Sequence, residues 1–268
     1  MVVIDIAKNL VDAGQKRAAR RLVILISLLW IFGTTVSAAH ATSIVILRSA
    51  NRVYIGSDSR RSYRETAEAY TGSVCKIVSA GRLLFVASGL TYANDQQVAS
   101  VGAEVGRASP TVQYAIEKFR RRMQQFLTNA IAAEARIERN HGRKGLILEA
   151  AFIGVEDNLA SVSVEWYRAN GNSAKPRLTT DRRTYSSAVR GRYDFIFLGK
   201  RHAIDRYMKG RSPVIRSDAD AVGLITKLIN LEIAESPQTT ALPINILKFD
   251  RAGSHWLERG ASCEISPT

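Results

Sequence analysis

The chain has 268 residues and 46% hydrophobic content, enough for one sizeable domain or two small ones with an ordinary apolar core. It carries 38 Lys+Arg against 24 Asp+Glu, a formal net charge of +14. Such a balance suits an anionic partner, but the basic residues of the chain beyond residue 41 are scattered in short runs such as Arg120-Arg121-Arg122 and Arg182-Arg183, and no nucleic-acid motif accompanies them. A nucleic-acid partner is therefore not expected, and a solvated basic surface facing an anionic envelope accounts for the charge.

Residues 1–41 read as an export signal. The basic run Lys16-Arg17-Ala18-Ala19-Arg20-Arg21 precedes an apolar stretch over 22–32, interrupted only by Ser27. Ala39 and Ala41 then form an A-x-A cleavage pattern. The apolar run is short against the roughly 20 residues of a membrane span, which favours a cleaved signal over an inner-membrane anchor. Cutting after Ala41 leaves a mature domain of residues 42–268, with a net charge of +11 because the segment itself carries +3. Its first residue is then Thr42, with a free α-amine beside its hydroxyl. The expected destination is the periplasm or the exterior.

The mature chain opens with strands at 43–47 and 53–56, joined by the turn Ser49-Ala50-Asn51-Arg52, and Asp58 follows the second. Polar residues 61–72 predict a loop. A second hairpin, 74–78 with 83–87, turns about Ala80-Gly81 and ends in Ser88-Gly89-Leu90. A helix capped at Asn94-Asp95 is expected over 96–107. Ser109-Pro110 then supplies a helix start, and Ile116, Phe119, Met123, Phe126, Leu127, Ala130 and Ile131 recur at helical spacing until about 140–142. That stripe predicts core packing, not a cofactor or membrane site.

Residues 146–155 and 160–167 predict a hairpin about Glu156-Asp157-Asn158. The basic, polar stretch 175–192 predicts at most one short strand, and 193–198 a strand ending at Gly199. Helices are expected over 201–209 and 217–235, the latter capped by Ser217 or Asp218, and strands over 244–249 and 255–257. Two antiparallel sheets with helices on their outer faces satisfy this order. No linker, repeat or low-complexity segment interrupts it.

Two cysteines, Cys75 and Cys263, remain after export. An oxidising compartment allows one disulfide between them, and two buried free thiols are the alternative. His141, His202 and His255 are isolated, and no His/Cys cluster has metal-ligand spacing, so neither a metal nor a cofactor is expected.

Thr42, Asp58, Lys76 and Gly89 all fall at strand starts or ends, where antiparallel hairpins bring distant positions together. An N-terminal threonine carries its own base, the α-amine, for activating its hydroxyl. A lysine nearby favours deprotonated states, a carboxylate holds that lysine, and a backbone N–H in a small Ser88-Gly89 turn can bind a tetrahedral oxyanion. Each residue alone has a plain reading as a surface charge or a turn glycine. The combination is what points to acyl chemistry.

The stretches Thr42-Ser43-Ile44-Val45, Val53-Tyr54-Ile55-Gly56-Ser57-Asp58-Ser59-Arg60, Cys75-Lys76-Ile77 and Ala87-Ser88-Gly89 resemble proteasome β-subunits, and more broadly the proteasome-like N-terminal nucleophile (Ntn) hydrolases. The similarity is specific over about residues 42–95 and topological beyond. It implies an α+β fold, a four-layer αββα sandwich of two antiparallel sheets. It also implies Thr42 as nucleophile, Lys76 tuning its pKa, Asp58 orienting Lys76, the Gly89 N–H as oxyanion hole, and Arg60 supporting the Asp58 loop. The substrate would be a peptide or small amide, and assembly into a homo-oligomer is common in the family.

Three departures accompany the resemblance. The family tends to have a serine after the glycine equivalent to Gly199, where this chain has Lys200. An Asp-x-x-Ser-Gly-Gly stretch usually precedes the last core strand, where this chain has Pro237-Gln238-Thr239-Thr240-Ala241-Leu242, leaving Thr240 as the replacement hydroxyl and Glu235 as the nearest acid. Family members typically self-process after a glycine, whereas Ala41 and signal peptidase stand in that place here. Two readings are carried forward: an exported threonine hydrolase, and a catalytically inactive relative serving as a binding or assembly component, in one version still anchored to the membrane.

Overall fold

The computed structural model describes residues 42–62, 71–90, 92–93, 96–137, 145–172, 175–187 and 191–263. The expected signal segment, the cap at Asn94-Asp95 and the helix end near 140–142 lie outside the described residues. The architecture is α+β, with two antiparallel five-stranded sheets.

The first sheet contains β1 (Ser43–Arg48), β2 (Arg52–Ser57), β12 (Asp194–Gly199), β13 (Asn245–Asp250) and β14 (Gly253–Glu258), in the order β12-β1-β2-β13-β14. The second contains β5 (Ile77–Ala80), β6 (Leu83–Gly89), β9 (Gly145–Glu156), β10 (Leu159–Asn172) and β11 (Lys175–Tyr185), in the order β11-β10-β9-β6-β5. Two small hairpins pair β3 (Arg60–Ser62) with β4 (Thr71–Ser73) and β7 (Tyr92–Ala93) with β8 (Gln96–Gln97). The 61–72 stretch thus holds two short strands where its polarity predicted a loop, since backbone pairing needs no apolar face.

Four α-helices, α1 (Val98–Arg107), α2 (Val112–Ile137), α3 (His202–Met208) and α4 (Asp218–Glu235), and a 3-10 turn at Ala261–Cys263 complete the described residues. None of them is long and apolar enough to cross a membrane. Helix α4 begins with a capping box in which Ser217 Oγ accepts the Asp220 N–H at 3.1 Å and Asp220 Oδ2 accepts the Ser217 N–H at 3.0 Å. Helix α2 starts later than Ser109-Pro110 predicted. Thr111 Oγ1 accepts the Tyr114 N–H at 3.1 Å and performs the capping, while Ser109 Oγ donates back to the Val105 carbonyl at 2.6 Å and closes α1.

Strand alternation sorts the apolar residues into three cores. Ile44, Ile55, Val86, Ala151, Ile153, Val162, Leu198 and Leu247 come from both sheets and fill the space between them. Phe85, Phe152 and Tyr167 of the second sheet pack on Ile116, Phe119 and Met123 of α2. Val45, Leu47, Tyr54 and Ile246 of the first sheet pack on Ile225, Leu228 and Ile229 of α4. Burying such side chains supplies about 1.5–3 kcal/mol each.

The strand β11 is longer than its basic sequence predicted. Eleven residues pair with β10, from Val162↔Tyr185 to Asn172↔Lys175. Arg182 bridges Glu165 of β10 and Glu117 of α2, each at 3.0 Å, so a side-chain ion network does what an apolar face does elsewhere. Charged residues also suit this strand's place at the edge of its sheet.

Candidate active site

The inter-sheet core turns polar at one end. Counting by twos from its apolar residues leads from Ile44 back to Thr42, from Ile55 to Ser57, from Leu247 to Asn245, from Val86 to Ser88 and from Ala151 to Glu149. All five of these polar residues are buried. Register places them at a common end, with Ile44 opposite Ser57, Ser57 opposite Asn245, Ser43 opposite Gly199 and Ser88 opposite Glu149. Buried polar groups cost free energy unless hydrogen-bonded, so their concentration at one end marks a built site.

Asp58 is its hub. This carboxylate is fully buried at the end of β2, and its Oδ1 accepts both the Ser43 N–H at 2.8 Å and Lys76 Nζ at 2.8 Å. Its Oδ2 accepts the Arg60 N–H at 3.0 Å and the Ala241 N–H at 3.4 Å. Four donors thus satisfy a group that could not otherwise be buried as an anion. Because Ser43 follows Thr42 directly, Lys76 lies two hydrogen bonds from Thr42's own peptide group.

Lys76 is itself buried, and it is aimed by what surrounds it. Its neighbour Cys75 forms a disulfide with Cys263, with Cα atoms 4.6 Å apart, which resolves the two alternatives left by the sequence. The Val74 N–H donates to the Ser59 carbonyl at 2.8 Å. Burial pushes the Lys76 ammonium below the usual lysine range, and the Asp58 charge and hydrogen bond push it back up.

Thr42 is held from the other side by β12. Its carbonyl accepts the Lys200 N–H at 2.7 Å. Gly199 adopts a left-handed φ of +81°, and a Cβ there would stand 2.0 Å from the Thr42 oxygen and 2.4 Å from Ser88 Oγ. Only glycine fits between them. Through Ser88, the end of β6 therefore reaches the same turn. Gly89 has φ +108°, and a Cβ there would stand 2.4 Å from the Ile147 carbonyl.

The structure thus joins Thr42, Asp58 and Lys76 through hydrogen bonds and brings the Ser88-Gly89 end of β6 against them. Arg60 supports the Asp58 turn twice, by its N–H and by its guanidinium, which donates to the Pro237 carbonyl. Thr240 is buried nearby, but its hydroxyl donates to the carbonyls of Glu232 at 3.1 Å and Ser236 at 2.9 Å, closing the end of α4. The 237–241 loop meets Asp58 by its backbone instead, at the Ala241 N–H. Glu235 pairs with Arg206.

Sequence reasoning missed Glu149. This buried carboxylate accepts the Gly199 N–H on Oε2 and the Trp166 Nε1–H, at 3.0 Å, on Oε1. The signal was present: it is the only carboxylate in the apolar run 146–155, at the strand parity of Ala151 and Ile153.

Comparison with known proteins adds no assignment: no protein-family model matches the chain, and no curated protein matches it in sequence. The functional reading rests on the residues themselves.

Proposed function

We propose that the mature protein is an exported N-terminal threonine hydrolase that cleaves a peptide or small amide bond through an acyl-enzyme. The fold this reading implies is the four-layer αββα sandwich of the Ntn hydrolases, and the three apolar cores, with helices against each sheet, are compatible with it. The observation that carries the proposal is the sharing of one buried Asp58 oxygen by the Ser43 N–H and Lys76 Nζ, immediately beside the residue that signal cleavage would expose.

In the proposed reaction the Thr42 α-amine takes the hydroxyl proton as Oγ1 attacks the substrate carbonyl carbon. The Lys76 charge lowers the cost of that deprotonation. The Gly89 N–H stabilises the tetrahedral oxyanion. Collapse breaks the C–N bond, the protonated amine returns its proton to the leaving nitrogen, and an ester to Thr42 remains. Water, deprotonated by the same amine, then attacks the ester and releases the acid. The Cys75–Cys263 disulfide supports an oxidising destination such as the periplasm.

A second reading is a catalytically inactive relative that binds or assembles. It is favoured by Thr240, whose hydroxyl is engaged with α4 carbonyls, and by Lys200 in the family's serine position. Incubation of the mature protein with a β-lactone, followed by peptide mass mapping, separates the two. The hydrolase reading expects one acyl group on Thr42 and none on Thr42→Ala; an unlabelled wild-type protein supports the inactive relative.

A further inference from the structure

We propose that Glu149 is a positioning residue of the Thr42 site, fixing the Gly199 turn and, through it, the backbone that carries the nucleophile. The proposal rests on the reading of Thr42 as nucleophile. Glu149 is 3% exposed and sits on β9 between two donors from different sheets, Gly199 of β12 and Trp166 of β10. The Gly199 turn in turn touches Thr42 twice. Its missing Cβ leaves the space taken by the Thr42 carbonyl oxygen, and the following Lys200 N–H donates to that same oxygen at 2.7 Å. A continuous chain of contacts therefore runs from Glu149 through Gly199 and Lys200 to Thr42.

A purely structural role does not call for a carboxylate. Well-packed apolar residues generally hold two sheets together at lower cost than a buried ionisable group. Glu149, by contrast, presents two acceptor oxygens to two N–H donors, and can do so fully only when ionised. Burial holds its carboxyl above the usual carboxylate range, opposed by the Gly199 N–H, Arg201, Trp166 and Arg168. The charged groups facing it are Arg168 on β10 and Arg201 just beyond β12, and from β6 it meets the neutral Ser88. A carboxyl so placed ties the geometry at Thr42 to pH. Protonation turns one acceptor into a donor facing an N–H, and loosens the Gly199 turn.

The test is the rate of β-lactone acylation at Thr42 from pH 4 to pH 9, in the mature protein and in Glu149→Gln and Glu149→Asp. In wild type the rate is expected to fall on the acid side through two titrations, that of the Thr42 α-amine, which must be neutral to act as the base, and that of Glu149, above the ordinary carboxylate range. Glu149→Gln is expected to acylate ~10–100-fold more slowly at pH 8, with its half-saturating lactone concentration unchanged, and to keep only the titration of the amine. Glu149→Asp, which keeps the charge, is expected to restore the second titration and part of the rate. If Glu149→Gln fails to fold by circular dichroism, Glu149→Asp carries the comparison. A variant matching wild type in both rate and pH profile overturns the positioning role while leaving the hydrolase reading intact. A wild-type protein unlabelled at Thr42 overturns both.

Discussion

Lys76 Nζ lies 2.8 Å from Asp58 Oδ1, with the two side chains 7% and 0% exposed. A buried pair of this kind costs much desolvation and is weak evidence of stability by itself, but losing one partner leaves an uncompensated charge. Asp58→Asn is therefore expected to destabilise the fold by about 3–5 kcal/mol. Lys76→Met should cost less, because three backbone N–H groups still satisfy Asp58. Urea denaturation of both single variants and the double variant checks this. A coupling of about 1–3 kcal/mol is expected, and additive effects would contradict the pairing.

The Gly199 turn offers a contrast between two glycines. At Gly199 an alanine Cβ meets backbone oxygen at 2.0 Å in a left-handed conformation, so Gly199→Ala should cost at least about 3 kcal/mol and slow acylation of Thr42. At Gly223, exposed on α4, an added Cβ meets nothing within 4 Å. Gly223→Ala should stabilise by about 0.5–1 kcal/mol and leave acylation unchanged. Thermal melts and labelling rates of the two variants give the comparison.

The Cys75–Cys263 bridge spans a sequence separation of 188 residues. Chain-entropy reasoning gives a loop of this size at most about 5 kcal/mol of stabilisation. Cys263→Ser should lower the urea midpoint accordingly. Because Cys75 precedes Lys76, it should also slow acylation, whereas a purely remote crosslink would leave the labelling rate of the folded variant at its wild-type value.

Two buried groups give opposite pH trends. The carboxyl of Glu149 titrates higher when folded than when unfolded, so the folded state binds the extra proton. Its contribution to stability is full below the unfolded pKa and is lost as pH rises through the folded one. Lys76 titrates lower when folded, so its contribution is present at alkaline pH and is lost as pH falls through the folded value. Stability of wild type relative to Glu149→Gln, measured by urea at several pH values, should decline from acid toward neutral pH. A flat difference would contradict the raised Glu149 titration.

Much of this was legible in the sequence where apolar alternation and turn chemistry agree. Ser43–Arg48 and Arg52–Ser57 were marked by their apolar runs and the Ser49 turn, whose N–H donates to the Arg52 carbonyl at 2.9 Å. The Asp157-Asn158 turn takes positive φ at both residues, as a tight hairpin requires. The strand Lys175–Tyr185 was not legible, because its stability comes from pairing with β10 and from Arg182 bridging Glu117 and Glu165, neither of which has a local pattern. Within the site, Asp58 and Lys76 stood at strand ends and could be named, while Arg60 was implied only by the resemblance. Thr240 also stood at the right distance along the chain, yet its hydroxyl turned to the end of α4, a choice set by tertiary packing. Glu149 was hidden because its partners, Gly199 and Trp166, come from elements 50 and 17 residues away.

The most direct test of the account is the N-terminal sequence and intact mass of the protein recovered from its host's cell envelope. A chain beginning at Thr42 is predicted, with a free α-amine one residue from the Asp58 hub and a mass two hydrogen atoms below the reduced value for the Cys75–Cys263 bridge. A chain beginning at any other residue, or retaining Ala41, would leave Thr42 without the amine that the proposed chemistry uses, and would contradict it.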